Sequence, residues 1–130
     1  MKKVSSILLS FLFIFTIFTS SASAATTGSV TSTRADNSAK EIYLTGSGKY
    51  MKLTASYSGS LGPDGDYGGD VVLYKQIGSN QIQHIATLYV TPNNRNQSTD
   101  VWLDLNATYI LVADVSILAA SNASVTGSIR

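Results

Sequence analysis

The 130-residue chain contains no cysteine and only one histidine, His84. Without cysteine there is no disulfide, so a small domain of this sequence depends on its apolar core for stability. The same absences restrict the chemistry, because a serine or cysteine nucleophile needs a base that is usually histidine, and zinc needs three or four His, Cys or carboxylate ligands. His84 is in phase with apolar residues of a predicted strand, which is typical of a core margin. We therefore expect a protein that is not an enzyme.

Phenylalanine is absent after residue 18. All four copies lie in an apolar run between Lys2-Lys3 and the small residues Ala22-Ser23-Ala24. This layout is typical of a secretory signal peptide, and the run of about a dozen residues is shorter than the roughly 20 that a membrane span requires. We predict cleavage after Ala24, which leaves residues 25–130 as a secreted, extracellular protein with no membrane partner. An uncleaved anchor is the alternative. A secreted chain without cysteine is more typical of bacteria than of animals.

Charge of either sign is scarce. Residues 25–130 contain seven Lys or Arg and eight Asp or Glu, a net charge of −1. Nucleic acids and anionic membranes are bound by clustered positive charge. The sequence has no such cluster, which argues against both kinds of partner.

Helical periodicity is missing as well, and from residue 41 onward apolar and polar side chains alternate with the period of a strand. The clearest example is residues 51–58, where Met51, Leu53, Ala55 and Tyr57 share one face. Further strands are predicted at residues 42–45, 71–77, 81–90, 100–105, 109–115 and 123–129. Residues 109–115 are apolar on both faces, which predicts a central strand. Asn106-Ala107 is predicted to close a short hairpin.

Seven or eight short strands joined by turns predict an all-β fold, a single antiparallel β-sandwich of jelly-roll or immunoglobulin-like type, at residues 41–130. Residues 25–40 are small and polar apart from Val30. They are predicted to form a flexible lead-in or a first edge strand.

Residues 59–70 contain five glycines and three aspartates. Glycine lets the backbone gather oxygen ligands around a hard cation, so we hypothesise that Asp64, Asp66 and Asp70 bind Ca²⁺. The segment is not an EF-hand, because Gly68 and Lys75 occupy two of that motif's ligand positions. A solvated long hairpin loop without metal is the alternative, and no other cofactor is expected.

Trp102 is the only tryptophan, and its side chain is predicted to point away from Val101 and Leu103. Exposed aromatic rings on a flat sheet stack against sugar rings or protein partners. The predicted ligand-binding residues are Trp102, Tyr67, Asp100 and Asp104. Burial of Trp102 under a second layer or a loop is the alternative. The two aspartates do not make a glycosidase pair, because four strand residues separate them by about 13 Å.

Two segments of the chain are similar to strands of a known family. Asp70-Val71-Val72-Leu73-Tyr74 is similar to an aspartate-led strand that ends in Leu-Tyr, and Ala107-Thr108-Tyr109-Ile110-Leu111-Val112 is similar to a strand that begins Gly-Thr-Tyr, with Ala107 replacing the glycine. On these segments, residues 44–129 resemble the pre-peptidase C-terminal modules of secreted bacterial proteases. The resemblance implies a non-catalytic β-sandwich, of a kind that in some cases helps attach an enzyme to polymers.

These features favour a stand-alone binding or structural module at the cell surface or in the extracellular matrix. Its expected partner is an extracellular polysaccharide or a protein surface. One alternative is a secreted effector, either an antibacterial toxin or an enzyme inhibitor that inserts a loop into its target. Another is self-assembly into fibres through exposed edge strands.

Overall fold

A computed structural model describes residues 25–130, and the predicted leader, residues 1–24, lies outside this range. The described chain forms eight strands: β1 (Gly28–Thr33), β2 (Lys40–Thr45), β3 (Lys49–Ser58), β4 (Gly69–Gly78), β5 (Gln81–Val90), β6 (Asn96–Leu103), β7 (Thr108–Val115) and β8 (Ser124–Ile129). They make two four-stranded antiparallel sheets, sheet A in the order β1-β8-β3-β6 and sheet B in the order β2-β7-β4-β5. The predicted β-sandwich is confirmed. Over the described residues there is no helix with the length and apolar character of a membrane span.

The core consists of the inward-facing side chains of the two sheets. Sheet A contributes Met51, Leu53, Leu103, Val125 and Ile129, and sheet B contributes Leu44, Val71, Leu73, Tyr109 and Leu111, all of them buried. Burying a side chain of this size contributes about 1.5–3 kcal/mol relative to leaving it exposed. Such a core is what a chain without cysteine depends on. The strand predicted to be central is β7, and it pairs with β2 on one side and β4 on the other.

Within residues 25–130, most connections cross from one sheet to the other, and only β4 and β5 are joined by a hairpin within one sheet. The predicted hairpin at Asn106-Ala107 is wrong, because β6 belongs to sheet A and β7 to sheet B. Asn106 adopts a φ of 63°, and the Ala107 amide donates to the Asp104 carbonyl at 3.1 Å. This tight turn carries the chain between sheets, which local alternation alone does not distinguish from a hairpin.

Strand β5 changes face along its length. Its register with β4 pairs Leu73 with Ala86 but Tyr74 with His84, so Ile85 is a β-bulge. A bulge shifts the alternation by one residue. His84 is therefore exposed on the outer face of sheet B, and its predicted place at a core margin is wrong.

Strand β6 also differs from its predicted bounds. It begins at Asn96 and ends at Leu103, so Leu105 lies in the following turn and is exposed. The chain has to leave sheet A at Asp104 in order to reach β7 in sheet B.

Further toward the N-terminus, residues 28–33 form β1, the edge strand of sheet A that pairs with β8, and Val30 enters the core.

The connections gather at two ends of the sandwich. Residues 46–48, 79–80 and 104–107 lie at one end, which we call the turn end. Residues 34–39, 59–68, 91–95 and 116–123 lie at the other, which we call the loop end. The two ends carry different sets of side chains and are described separately below.

Candidate functional site

An aromatic pair occupies the outer face of sheet A near the turn end. Trp102 and Tyr50 are directly opposite each other on β6 and β3, with ring centroids 5.2 Å apart and planes at 74°. Trp102 is 48% exposed and Tyr50 is 69% exposed. The alternative that Trp102 is buried or covered does not hold, and both rings are open to solvent.

Asp104 holds the indole of Trp102 in place. The Trp102 Nε1–H donates to Asp104 Oδ1 at 2.9 Å, and Lys75 Nζ donates to Asp104 Oδ2 at 2.6 Å. The Asp104 amide in turn donates to the hydroxyl of the buried Tyr109 at 2.8 Å. The exposed ring is thereby connected to a core residue through Asp104, whose carboxylate binds the indole and whose backbone amide binds Tyr109. A ring fixed in this way loses little conformational freedom when a ligand binds.

The same contacts set the protonation of Asp104. The hydrogen bond from Lys75 lowers the pKa of the Asp104 carboxyl, and the hydrogen bond from Trp102 lowers it further. The Lys75–Asp104 hydrogen bond also raises the pKa of the Lys75 ammonium. Both groups are therefore charged at neutral pH, and the anion that orients the indole is maintained.

Acidification should release the indole only at unusually low pH. Since the pKa of Asp104 is lowered in the folded state, its stabilising contribution is complete above the unfolded value of roughly 3.9. That contribution is lost as the pH falls through the folded value. We expect the fluorescence of Trp102, the only tryptophan, to change below about pH 4. In Lys75→Met the change should occur at higher pH, and in Asp104→Asn it should be absent. A transition at the same pH in Lys75→Met and the parent protein would contradict this assignment.

Beyond the aromatic pair, small polar side chains cover the outer face of sheet A. Lys52 forms an ion pair with Asp100 at 3.5 Å, and next along β3 come Thr54 and Ser56. Their cross-strand neighbours in sheet A are Ser98, Asn96, Ser128 and Thr126. Together with Thr31 of β1, the residues Thr54, Ser56, Ser98, Thr126 and Ser128 form what we call the hydroxyl face. Much of it lines a depression of about 500 Å³.

Hydrogen bonds cross the hydroxyl face between neighbouring strands. Thr54 bonds to Ser128, and Thr31 bonds to Thr126 at 2.8 Å. Each hydroxyl has one donor and two acceptor positions, so these groups retain capacity for a ligand. Sheet A therefore presents a polar strip with an aromatic pair at one end.

Three of the four predicted ligand-binding residues lie on this surface. Trp102 and Asp100 share the outer face of sheet A, Asp104 follows β6 in the turn beside Trp102, and both carboxylates contact lysines. Tyr67 is elsewhere, because it lies in the loop that follows β3. That loop begins at the far end of β3, about 26 Å from Tyr50. Tyr50 cannot be identified from the sequence alone, since only the pairing of β3 with β6 brings it to Trp102.

Tyr67 lines a separate cleft of about 300 Å³ at the loop end of sheet B, together with Asp66, Asp70, Tyr89 and Asp114. The Asp66 carboxylate accepts a hydrogen bond from the backbone amide of Asn93 at 3.0 Å and so joins two loops. Burial raises the pKa of Asp70, and the charge of the neighbouring Asp114 raises it further.

The three residues predicted to bind Ca²⁺ are not assembled into a ligand set. Asp66 contacts the Asn93 amide, Asp70 belongs to β4, and Asp64 is exposed in the loop. Across residues 25–130, no group of three or more His, Asp or Glu side chains is placed to hold a metal ion. The loop is also not a hairpin, because it connects β3 in sheet A to β4 in sheet B.

No model of a protein family matches this chain, and no curated protein does. Solved structures do match it. One is the surface-associated copper-binding protein CorA of Methylomicrobium album BG8, with a TM-score of 0.53 at 9% identity over 81% of this chain and 92% of that one. Another is the pre-peptidase C-terminal domain of collagenase from Bacillus anthracis, with a TM-score of 0.50 at 12% identity over 82% of this chain and 90% of that one.

The likeness to the collagenase domain agrees with the resemblance carried by residues 70–74 and 107–112. At such low identities these matches establish the fold and nothing more. The chain is a small β-sandwich of the same general type as these domains.

Proposed function

We propose that the chain is a secreted, non-catalytic module that binds an extracellular polysaccharide on the outer face of sheet A. The observation that carries the proposal is the exposed pair of Trp102 and Tyr50, oriented by Asp104 and continued by the hydroxyl face. The basic, apolar and small-residue segments within residues 1–24 support secretion. The lack of cysteine and the presence of a single histidine support a role without catalysis.

A sugar ring has two kinds of surface, and sheet A offers a counterpart to each. The C–H face of a pyranose ring is apolar and stacks on an aromatic ring such as that of Trp102. The hydroxyl rim of the sugar needs donors and acceptors, which Asp104, Lys52 and the hydroxyl face provide. The distance along β3 from Tyr50 to Ser56 is about 20 Å, which accommodates several sugar units.

The charges on sheet A favour a polymer without strong charge. Lys52 is paired with Asp100, and Lys75 is paired with Asp104, so these four groups cancel in two local pairs. Arg130 also lines the depression, so a strongly charged polysaccharide would meet one cation outside these pairs and otherwise groups that already have partners. We therefore expect a neutral polysaccharide to bind best.

Replacing Trp102 with alanine should abolish most of this binding. We expect calorimetric titration with soluble neutral glucans and xylans to give saturable binding to at least one of them. The affinity should fall at least tenfold in Trp102→Ala, which corresponds to about 1.4 kcal/mol and is in the range of one aromatic contact with its buried area.

Tyr89→Ala is the matched control, because Tyr89 is 68% exposed but lies on sheet B. Its binding should equal that of the parent protein. Undiminished affinity in Trp102→Ala, or no saturable binding by the parent protein to neutral or charged polysaccharides, would count against the proposal.

One observation favours the alternative of a secreted enzyme inhibitor. The pairing of β4 with β7 ends at Lys75, whereas its pairing with β5 continues to Gly78. The β4–β5 hairpin therefore projects beyond the rest of sheet B, with Ile77 and Ile82 exposed near its tip. An apolar projecting hairpin is suited to entering a cleft. This alternative predicts inhibition of a target enzyme without any binding of polysaccharide.

A further inference from the structure

The outer face of sheet B has a composition unlike that of sheet A. The pairing register places its side chains in three rows across the strands. From the loop end these rows are Asp114, Asp70 and Tyr89; then Glu41, Val112, Val72 and Thr87; then Tyr43, Ile110, Tyr74 and His84. Apolar and aromatic side chains fill the centre, and carboxylates lie toward the loop end.

This apolar centre is unusual for the solvent side of an antiparallel sheet. Such a face normally carries polar side chains, as sheet A does. Here Val72, Ile110 and Val112 point outward, and Tyr43 and Tyr89 are 59% and 68% exposed. The described residues form only two layers, so neither a strand nor a helix packs on this face. The three aliphatic side chains are half-buried among their neighbours, and a contiguous apolar patch that reaches solvent marks an interaction surface.

The formal charges on this face are all negative. They belong to Glu41, Asp70 and Asp114. None of the seven Lys and Arg of residues 25–130 lies on this face. Lys52, Arg130 and Lys49 belong to sheet A, and Lys75 and Lys40 form ion pairs with Asp104 and Asp36. Arg95 lies over the ring of Tyr57, and Arg34 donates to the carbonyl of Ile117. In a domain with nearly balanced charge, the negative potential is thus concentrated beside the apolar centre.

The carboxylates are also under electrostatic strain in the free protein. Asp70 and Asp114 are directly opposite each other on β4 and β7. Partial burial and this second negative charge raise the pKa of Asp70. A cation placed in the cleft between Tyr67 and Tyr89 would relieve the repulsion, and the two rings would be available for cation–π contact.

We propose that the outer face of sheet B docks a segment of a partner protein that presents apolar side chains next to lysine or arginine. The aliphatic rows require an apolar partner surface, which distinguishes this face from the polar, aromatic strip on sheet A. The carboxylates require positive charge, which an anionic membrane does not offer. A second copy of this chain would bring like charges together. The proposal concerns a different surface from the polysaccharide site, so either can fail without the other.

The test uses synthetic strand peptides and isotopically labelled protein. A peptide that alternates leucine and lysine should bind saturably and shift the amide resonances of β2, β7, β4 and β5. Versions with glutamate for lysine, or with serine for leucine, should bind at least tenfold more weakly. Raising the salt concentration from about 0.05 M to about 0.5 M should lower the affinity for the leucine–lysine peptide, because salt screens the attraction between its lysines and the carboxylates.

Paired variants locate the site. The double variant Asp70→Asn/Asp114→Asn preserves side-chain shape and should lower the affinity for the leucine–lysine peptide at least tenfold. Ile110→Ser should lower it by at least as much. Asp100→Asn removes a carboxylate from sheet A and should have no effect. Three results would overturn the proposal: no binding of the leucine–lysine peptide, resonance shifts confined to sheet A, or sedimentation showing that a second copy covers the face.

Discussion

Replacing Gly46 with alanine should lower the free energy of unfolding by about 3 kcal/mol. A Cβ at this position would lie 2.0 Å from the carbonyl oxygen of Asp104 and 3.0 Å from Cε2 of Tyr109. The backbone there is constrained on both sides. The Gly46 amide donates to the Ala107 carbonyl at 2.8 Å, and the Gly46 carbonyl accepts from the backbone amide of Asn106 at 2.9 Å. The two turns that cross between the sheets would have to separate.

Urea unfolding followed by Trp102 fluorescence measures this effect. Gly78→Ala is the matched control, because the nearest atoms to its new Cβ belong to the Gln81 side chain at 3.4 Å or more. Its stability should stay within about 0.5 kcal/mol of the parent protein. Equal midpoints for Gly46→Ala and the parent would show that the turn end is not closely packed. Since Asp104 moves with its turn, Gly46→Ala should also weaken polysaccharide binding.

Tyr109→Ala should cost about 4 kcal/mol of stability. The residue is 1% exposed in the central strand β7, so the truncation would leave a large cavity between the sheets. Tyr109→Phe isolates the hydroxyl, which accepts the hydrogen bond from the Asp104 amide. That variant should cost only about 1 kcal/mol, because the Asp104 amide lies in an exposed turn where water can replace the hydroxyl.

The same unfolding experiment separates the two contributions of Tyr109. Thermal unfolding by circular dichroism provides a readout that does not depend on Trp102. If Tyr109→Phe lost as much stability as Tyr109→Ala, the hydroxyl rather than the ring would hold the turn end together. If neither variant were destabilised, Tyr109 would not be part of the core.

The strands were predictable wherever a strict alternation persisted. Residues 51–58 and 109–115 have buried and outward-facing side chains in the predicted phase, because each packs against the opposite sheet over its whole length. The bulge at Ile85 was not predictable, since it depends on how β5 pairs with β4. The crossing at Asn106 was not predictable either. A turn residue with positive φ allows a reversal but does not specify which sheet receives the next strand.

The candidate site was predictable only in part, for a similar reason. The phase of Trp102 relative to Val101 and Leu103 follows from local alternation, and it places the indole on the outer face. The contacts of Trp102 with Tyr50 and of Asp104 with Lys75 join strands that are distant in sequence. Residue type alone groups Tyr67 with Trp102, and chain topology puts Tyr67 at the opposite end of the sandwich.

The position of β8 affects how the molecule folds. This last strand lies between β1, the first, and β3, and these two neighbours do not pair with each other. Until β8 is in place, sheet A lacks the strand that joins its halves. Such long-range pairing is slow to form. Sheet A should therefore be completed only when β8 pairs with both neighbours, and loss of residues 124–129 should prevent folding rather than leave a smaller native domain.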